Sequence, residues 1–170
     1  MKKISILVVT LMTLASCQQS QKIGFVDNSK LVNEYQEKID VESKYKSQIE
    51  ASSKLTDSLA QSFQAEYQEF QQQASSMSQD KAQQRYQELG RKQQMIQQQI
   101  QMTEQQIASE SQKEIDSLIS KVRKFVKNYG ESNNYDFILG SNEAGSVMYG
   151  KDSEDLTETL IKALNDSYKK

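Results

Sequence analysis

The sequence predicts a mostly helical α+β protein in which a small β-containing oligomerisation body carries a long projecting α-helical, coiled-coil-like hairpin. Two observations predict this arrangement. Two short strand-like segments, 22–27 and 135–140, are separated by a long stretch with a continuous helical pattern. A strand of this length is not stable alone and has to pair with a neighbour. If the two segments pair, the helical stretch between them must leave the sheet and return, as a hairpin of two helices does.

Residues 1–16 have the pattern of a lipoprotein signal peptide. Two lysines supply its positive start, and 4–14 is an apolar run shorter than the roughly 20 residues that span a membrane. The tetrapeptide Leu-Ala-Ser-Cys that ends at Cys17 resembles a bacterial lipobox, whose cysteine accepts the lipid. We therefore expect Cys17 to be lipidated and 17–21 to form an anchor and short linker. An ordinary secretory signal is the alternative, disfavoured because Cys17 is the single cysteine of the chain.

The composition argues against an enzyme and against a metal site. The chain has no His and one Cys, which removes the commonest general base and the commonest metal ligands. It has 21 basic and 23 acidic residues, and two of the lysines belong to the signal peptide. Nucleic-acid binding needs a basic face. We therefore expect no catalysis, no cofactor, no metal and no nucleic-acid partner.

The body is expected to comprise 22–35 and 130–170. Its first strand, 22–27, leads into Asn28 and Ser29, which are predicted to cap a short helix. This short helix is expected to end where the long helical pattern begins, so that the body and the arm meet at its end.

Residues 36–129 are expected to form the arm. The outgoing helix is predicted at 36–74 and the returning helix at 79–128, with the tip near 75–80, where a serine-rich segment favours helix ends. The returning helix carries a heptad repeat. Its predicted core positions are Tyr86, Gln93, Ile100 and Ile107 at a, and Ala82, Leu89, Ile96 and Thr103 at d. Polar residues at core positions indicate a weakly packed seam.

The rest of the body is predicted to contain a strand hairpin and a last helix. Strand 135–140 and a return strand at 147–149 flank a turn-rich loop. The last helix is expected from Asp152 onward, with a buried face formed by Leu156, Leu160, Leu164 and Tyr168. A body this small is marginally stable alone, so we expect it to associate with further copies. The candidates for the body core or the oligomer contact are Phe25, Val26, Phe137 and Leu139.

The order of these elements resembles the Skp (OmpH-like) family of periplasmic chaperones. The resemblance extends over essentially the whole chain that follows the signal peptide. The residues that carry it are 22–27 with Leu31, 135–140, 147–150, and 155–157 with Leu160 and Leu164. It implies a homotrimer whose strands form a shared body and whose arms enclose a cavity for unfolded outer-membrane proteins, held without ATP. The chain departs from the best-known members in being acidic and in carrying a lipoprotein signal.

The leading hypothesis for function is an ATP-independent holdase for unfolded outer-membrane or other envelope proteins. It would face the periplasm of the bacterial cell envelope and be attached to a membrane through its lipid anchor. Strong helix propensity combined with a weak seam leaves apolar side chains available to a client. The candidates for client contact are Tyr67, Phe70, Met95 and Met102. The alternative is a lipid-anchored coiled-coil spacer or scaffold of the envelope, which needs a continuous apolar a/d seam.

Overall fold

The two predicted strands pair with each other, as the proposed hairpin arrangement requires. The structure is a computed structural model that describes residues 21–142 and 144–169, so the predicted signal peptide and Cys17 lie outside the described residues. Strand β1 is Ile23–Asp27 and strand β2 is Phe137–Ser141. They are parallel, with Ile23 opposite Phe137. Parallel neighbours need a long crossover connection, and here the whole helical hairpin is that connection.

A short helix follows β1 directly. Helix α1 is Asn28–Asn33, and its N-cap is Asp27, whose Oδ1 accepts a hydrogen bond of 2.9 Å from the backbone N–H of Lys30. The prediction of a cap at Asn28 or Ser29 is therefore wrong by one residue. The last residue of β1 serves as the cap, because its extended backbone and short carboxylate already meet the requirements of that position.

Two long helices form the arm. Helix α2 is Gln36–Gln73 and helix α3 is Gln79–Ser132. The connection between them, 74–78, includes a 3-10 turn at Ala74–Ser76 and overlaps the segment predicted for the tip. At 1.5 Å per residue the two helices measure roughly 55 and 80 Å. Helix α3, the returning helix, continues four residues beyond the predicted end at 128. Its last turns belong to the body.

The C-terminus of α3 redirects the chain into β2. Asn134 has a φ of 55°, in the left-handed region that Asn tolerates better than most residues. The N–H of Tyr135 donates to the carbonyl of Gly130 at 3.0 Å, and the N–H of Asn134 donates to Glu131 at 3.5 Å. These two bonds form a Schellman motif. The ring of Tyr135 stacks on Tyr129, with centroids 6.4 Å apart, which adds the apolar contact typical of this motif.

The two faces of the sheet have different surroundings. Ile138 packs against the core, whereas Phe137 and Leu139 are 53% and 45% exposed. In β1 the inward residues are Gly24 and Val26. Shifting a strand by one residue exchanges its two faces. Phe137 and Leu139 therefore lie outside the core of the single chain.

Gly24 sets the distance between the sheet and the last helix. A Cβ at Gly24 would lie only 2.5 Å from Cδ1 of Leu156. Leu156 is 6% exposed and fills the space that the missing side chain leaves. Gly24, which has no side chain, thus lets Leu156 pack directly against the backbone of β1.

The predicted return strand at 147–149 does not form. An isolated parallel bridge joins Asp155 to Phe25 on the side of β1 away from β2. Within the described residues the sheet therefore has two strands, and the strand hairpin is a wrong prediction. Met148 and Tyr149 are almost completely exposed instead.

The last helix, α4, is Thr157–Tyr168 and begins later than Asp152, because Asp152–Glu154 forms a 3-10 turn. The chain is tied to β1 just before the helix. The N–H of Leu156 donates to the carbonyl of Phe25 at 2.8 Å, and the N–H of Asp27 donates to Oγ1 of Thr157 at 3.0 Å. Because Asp155 is extended where it bridges to β1, the helix begins only after it.

Helix α4 also completes the start of α2. The side chain of Asn165 accepts a hydrogen bond of 2.7 Å from the N–H of Gln36 and donates one of 3.0 Å to the carbonyl of Glu34. The residue before α2, Tyr35, offers no capping side-chain bond of its own. A residue from the far end of the chain therefore satisfies the first turn of the arm.

The core lies where the arm enters the body. It combines β1 and α1 with α4 and with the last turns of α3, and it includes Val26, Leu31, Tyr35, Leu118, Val122, Leu156, Leu160, Ile161 and Leu164. Tyr168 is less buried than the other predicted members of the α4 face, since its ring packs edge-on against Tyr35 while its hydroxyl donates to Asp40 at 3.1 Å. The base of the arm is thus part of the core.

Candidate binding surfaces of the arm and the body

The seam of the arm departs from the predicted heptad register near its tip. At the predicted a positions, Tyr86 and Gln93 are exposed, whereas Arg85 and Lys92 are half-buried. Leu89, a predicted d residue, is 2% exposed. Long basic side chains bury their aliphatic stems while keeping the charge at the surface. The stems of Arg85 and Lys92 therefore occupy part of the seam that the heptad assigned to Tyr86 and Gln93.

An ion cluster holds this part of the seam. Glu66 of α2 accepts a hydrogen bond of 2.6 Å from Arg85 and another from Lys92, and Arg85 also contacts Glu88 at 3.1 Å. The hydrogen bond from Lys92 lowers the pKa of the Glu66 carboxyl below its ordinary value, aided by Arg85 and opposed by desolvation. Charge pairing thus supplements the apolar packing of Leu89 at this level of the arm.

Between this cluster and the core, the two helices do not fill the space between them. A cavity of about 550 Å³ opens on one face of the hairpin beside Tyr45, Ile49 and Ile107. A second of about 380 Å³ opens on the other face beside Leu55 and Ile100. Small polar residues cause these gaps, because a serine or threonine cannot span the distance that a leucine spans. They include Ser52, Ser53, Thr56, Thr103 and Ser111.

The four predicted client-contact residues fall into two pairs. Met95 and Met102 are 62% and 64% exposed on the returning helix. Tyr67 and Phe70 are half-buried, and their rings lie 6.5 Å apart. The structure does not bring the two pairs into one cluster. The methionines form an exposed pair seven residues apart, while the aromatic rings belong to a row that continues to Phe63.

Other large apolar side chains of the arm are equally exposed. They are Ile39, Ile49, Leu55 and Tyr86. The heptad pattern did not predict that Tyr86 is exposed, because it assigned this residue to the seam. The signal that would have revealed it is the basic pair Arg85 and Lys92, which recurs at the same seven-residue spacing one position earlier.

The body presents a second apolar surface on the outward face of the sheet. Val26 is buried within the chain, but Ile23, Phe137 and Leu139 are exposed and Phe25 is half-buried. The four predicted body residues are thus divided between the core and this face. Exposed apolar patches of this kind mark sites where another molecule binds.

The described residues offer little to other kinds of site. In 21–142 and 144–169 no three potential metal-ligand side chains lie together. No helix in these ranges has the length and apolar content needed to cross a membrane.

The fold and these surfaces define an arm-bearing binding protein, with a small body, a long two-helix arm and apolar side chains left outside the core. The chain belongs to the family described as Outer membrane protein (OmpH-like), whose family model matches residues 22–164. The membership predicted from the sequence is confirmed, and its lipoprotein type remains a prediction.

A solved structure shares this fold. A crystal structure of a protein from Caulobacter crescentus CB15, provisionally described as an outer membrane chaperone (OmpH-like), superposes with a TM-score of 0.76. The two sequences are 14% identical, and the match covers 86% of this chain and 85% of that chain. At this identity the match establishes the fold. No curated protein matches the chain.

Proposed function

We propose that this protein is an ATP-independent holdase chaperone that binds unfolded outer-membrane or other envelope proteins in the periplasm. The observation that carries the proposal is the arm itself, where apolar side chains remain exposed beside unfilled gaps between the helices. Membership of the OmpH-like family and the description of the Caulobacter protein support it. The arm offers many separate apolar contacts and no single deep site.

Such a surface suits an unfolded client. Burying a large apolar side chain contributes about 1.5–3 kcal/mol when it is complete, and less at a half-exposed site. Affinity must then come from several contacts made at once by one chain. Methionine suits this role because its flexible side chain adapts to different partners. Met95 and Met102 are therefore proposed to contact clients, together with Tyr67 and Phe70.

We further propose that the body assembles three copies, so that their arms enclose a cavity. The exposed apolar face formed by Ile23, Phe137 and Leu139 supports an association of this kind, since a domain this small gains stability by burying such a face against another copy. A cavity would keep each client apart from other unfolded chains.

A matched deletion tests the holdase role. Salt bridges between Lys44 and Glu114 and between Lys121 and Glu37 define the antiparallel register of the arm. Removing 49–62 together with 96–109 takes two facing heptads from each helix and shortens the arm by roughly 20 Å, while leaving the core and the ion cluster in place. We expect aggregation of an unfolded barrel protein to be suppressed by the intact chain and not by the shortened one.

The control for this experiment is the oligomeric state and helix content of the shortened chain. Both should show that its body is still folded and assembled as in the intact protein. Equal protection by both proteins would contradict a holdase mechanism that uses the arm. If the intact protein never protects such a client, the spacer or scaffold alternative becomes the better explanation.

A further inference from the structure

A small notch lies near the tip of the arm, apart from the ion cluster. It has a volume of about 360 Å³ and is lined by Phe63, Gln64, Tyr67, Tyr86, Leu89, Gly90 and Gln93. Successive helical residues are rotated by about 100°, so Gly90 and Lys92 lie on opposite sides of the buried Leu89. The notch and the ion cluster therefore occupy the two opposite faces of the hairpin.

Gly90 leaves the notch open. It lies inside a continuous helix, where glycine is less favourable than alanine. A Cβ at Gly90 would meet nothing within 4 Å, so packing inside the chain does not require a glycine there. The missing side chain leaves free space between the ring of Tyr86, which is 62% exposed, and the stacked rings of Phe63 and Tyr67, whose centroids are 6.3 Å apart.

The lining indicates what could enter. All of its side chains are uncharged. Phe63, Tyr67, Tyr86 and Leu89 supply apolar surface, and two glutamine amides and two tyrosine hydroxyls supply polar surface. A charged ligand would lose its hydration without gaining a counterion. The volume suits a side chain, whereas stable association with a second folded protein buries about 800 Å² on each partner. Charge and size together favour a single neutral aromatic side chain.

We infer that this notch binds an aromatic side chain of an unfolded client between Tyr67 and Tyr86. The inference rests on the holdase function proposed above and names one chemical feature of a client that the arm recognises. Aromatic rings attract one another in offset or edge-on geometry beyond the effect of buried area. Membrane-spanning β-strands are rich in aromatic residues at both ends, so unfolded barrel proteins supply this feature repeatedly.

The absence of Trp from the chain makes the notch directly testable. A soluble peptide with the sequence of one barrel strand and a single Trp is titrated with the protein, and its Trp fluorescence is recorded. A second peptide, with Leu in place of Trp, is added as a competitor, and its binding is read from how far it reverses the fluorescence change of the Trp peptide. We expect a blue shift on binding and about tenfold weaker binding of the Leu peptide, as loss of an aromatic contact implies.

Gly90→Leu tests the site, because it fills the notch and replaces a poor helix former. We expect about tenfold weaker binding of the Trp peptide, with unchanged helix content. Gln98→Leu is the matched control. It adds the same side chain at an exposed position outside the notch and should leave binding unchanged. If Gly90→Leu disturbs folding, Tyr86→Ser removes one exposed wall and should weaken binding in the same way.

Each outcome separates this inference from the holdase proposal. If the intact protein suppresses aggregation but Gly90→Leu and Tyr86→Ser bind the Trp peptide normally, the notch inference is overturned and the holdase stands. If both variants lose the peptide while the intact protein fails to suppress aggregation, the notch is supported and the holdase is not. If Gly90→Leu instead lowers self-association of the protein, the occupant is a second copy and the inference is wrong.

Discussion

The connection between the arm and the sheet depends on the left-handed backbone of Asn134. Its φ of 55° reverses the chain after α3, so that Tyr135 can bond back to Gly130 and β2 can begin beside β1. A residue with a branched Cβ pays a steric penalty in this conformation, and glycine pays none. The residue at this position therefore affects stability through the backbone conformation that it permits.

Substitution of Asn134 tests this dependence. Asn134→Val should lower the free energy of unfolding by about 1–2 kcal/mol, because the left-handed conformation crowds its Cβ. Asn134→Gly should be neutral or slightly stabilising. Urea unfolding followed by circular dichroism measures both. Equal stability of the Val and Gly variants would show that the turn does not need this conformation.

The base of the arm is an element held by charge as well as by packing. Glu37 of α2 accepts hydrogen bonds from Lys121 of α3 and from the hydroxyl of Tyr35, and Asp40 accepts one from Tyr168 of α4. Burial acts to raise the pKa of the Glu37 carboxyl, but the bonds from Lys121 and Tyr35 outweigh it and lower the pKa below 4.5. The same surroundings raise the pKa of the Tyr35 hydroxyl, chiefly through burial and then through its bond to Glu37.

Stability at acidic pH should reflect this junction. A carboxyl whose pKa is lowered by folding contributes stability above its unfolded pKa, and this contribution is lost as the pH falls through the folded value. Glu37→Gln should therefore destabilise the protein at pH 7 and flatten its loss of stability below about pH 4.5. Thermal unfolding across pH 3–7 provides the measurement.

Glu131→Gln is the control for the acidic range, because Glu131 is exposed and its ion pair within the described residues, with Lys127, is long at 3.7 Å. Exposed pairs of this kind contribute little, so its pH profile should match that of the wild type. A Glu37→Gln profile parallel to the wild type would mean that the junction does not depend on this carboxylate.

At the scale of the whole molecule, the outward face of the sheet is expected to join copies of the chain. Phe137→Asp would place an unpaired carboxylate in that contact, at a high cost in free energy. Since Phe137 is outside the core of the single chain, we expect the variant to lose the proposed trimer while far-UV circular dichroism remains largely helical. Sedimentation at micromolar concentration measures the change.

Ile138→Asp is the contrasting variant, because Ile138 packs against the core. It should unfold the body itself, and not merely separate the copies. A wild-type protein that sediments as a stable monomer at micromolar concentration would contradict the oligomer proposal, whatever the variants do.

Attachment to the envelope is predicted to depend on Cys17. Several acyl chains on one residue hold a protein at a membrane far better than a single chain does. Cys17→Ala should therefore shift the protein from the membrane to the soluble periplasmic fraction, or block processing of its signal peptide. Fractionation and mass analysis of the N-terminus measure this. Unchanged fractionation and processing would refute the lipoprotein interpretation.

Much of the fold was predictable because its causes are local. The helical pattern between 36 and 129 contains no proline, and a serine-rich segment interrupts it once. Both properties act within a few residues of the backbone they affect. The two strands also had to pair, since neither is long enough to be stable alone. The heptad pattern of the arm, however, did not predict the open notch at Gly90, because the notch depends on how the two helices pack against each other.

By itself, the sequence determined the two long helices, their turn, the pairing of the strands and the family, because these follow from local propensity and from the order of elements. Tertiary structure decided the rest. Residues 137–139 are all large and apolar, so alternation could not say which side of β2 faces the core. Segment 147–149 did not pair with β2 as expected, and Asp155 instead bridges to β1. Salt bridges to Glu66 place Arg85 and Lys92 at the seam. Each of these choices depends on contacts between residues far apart in the chain, and no local pattern records such contacts.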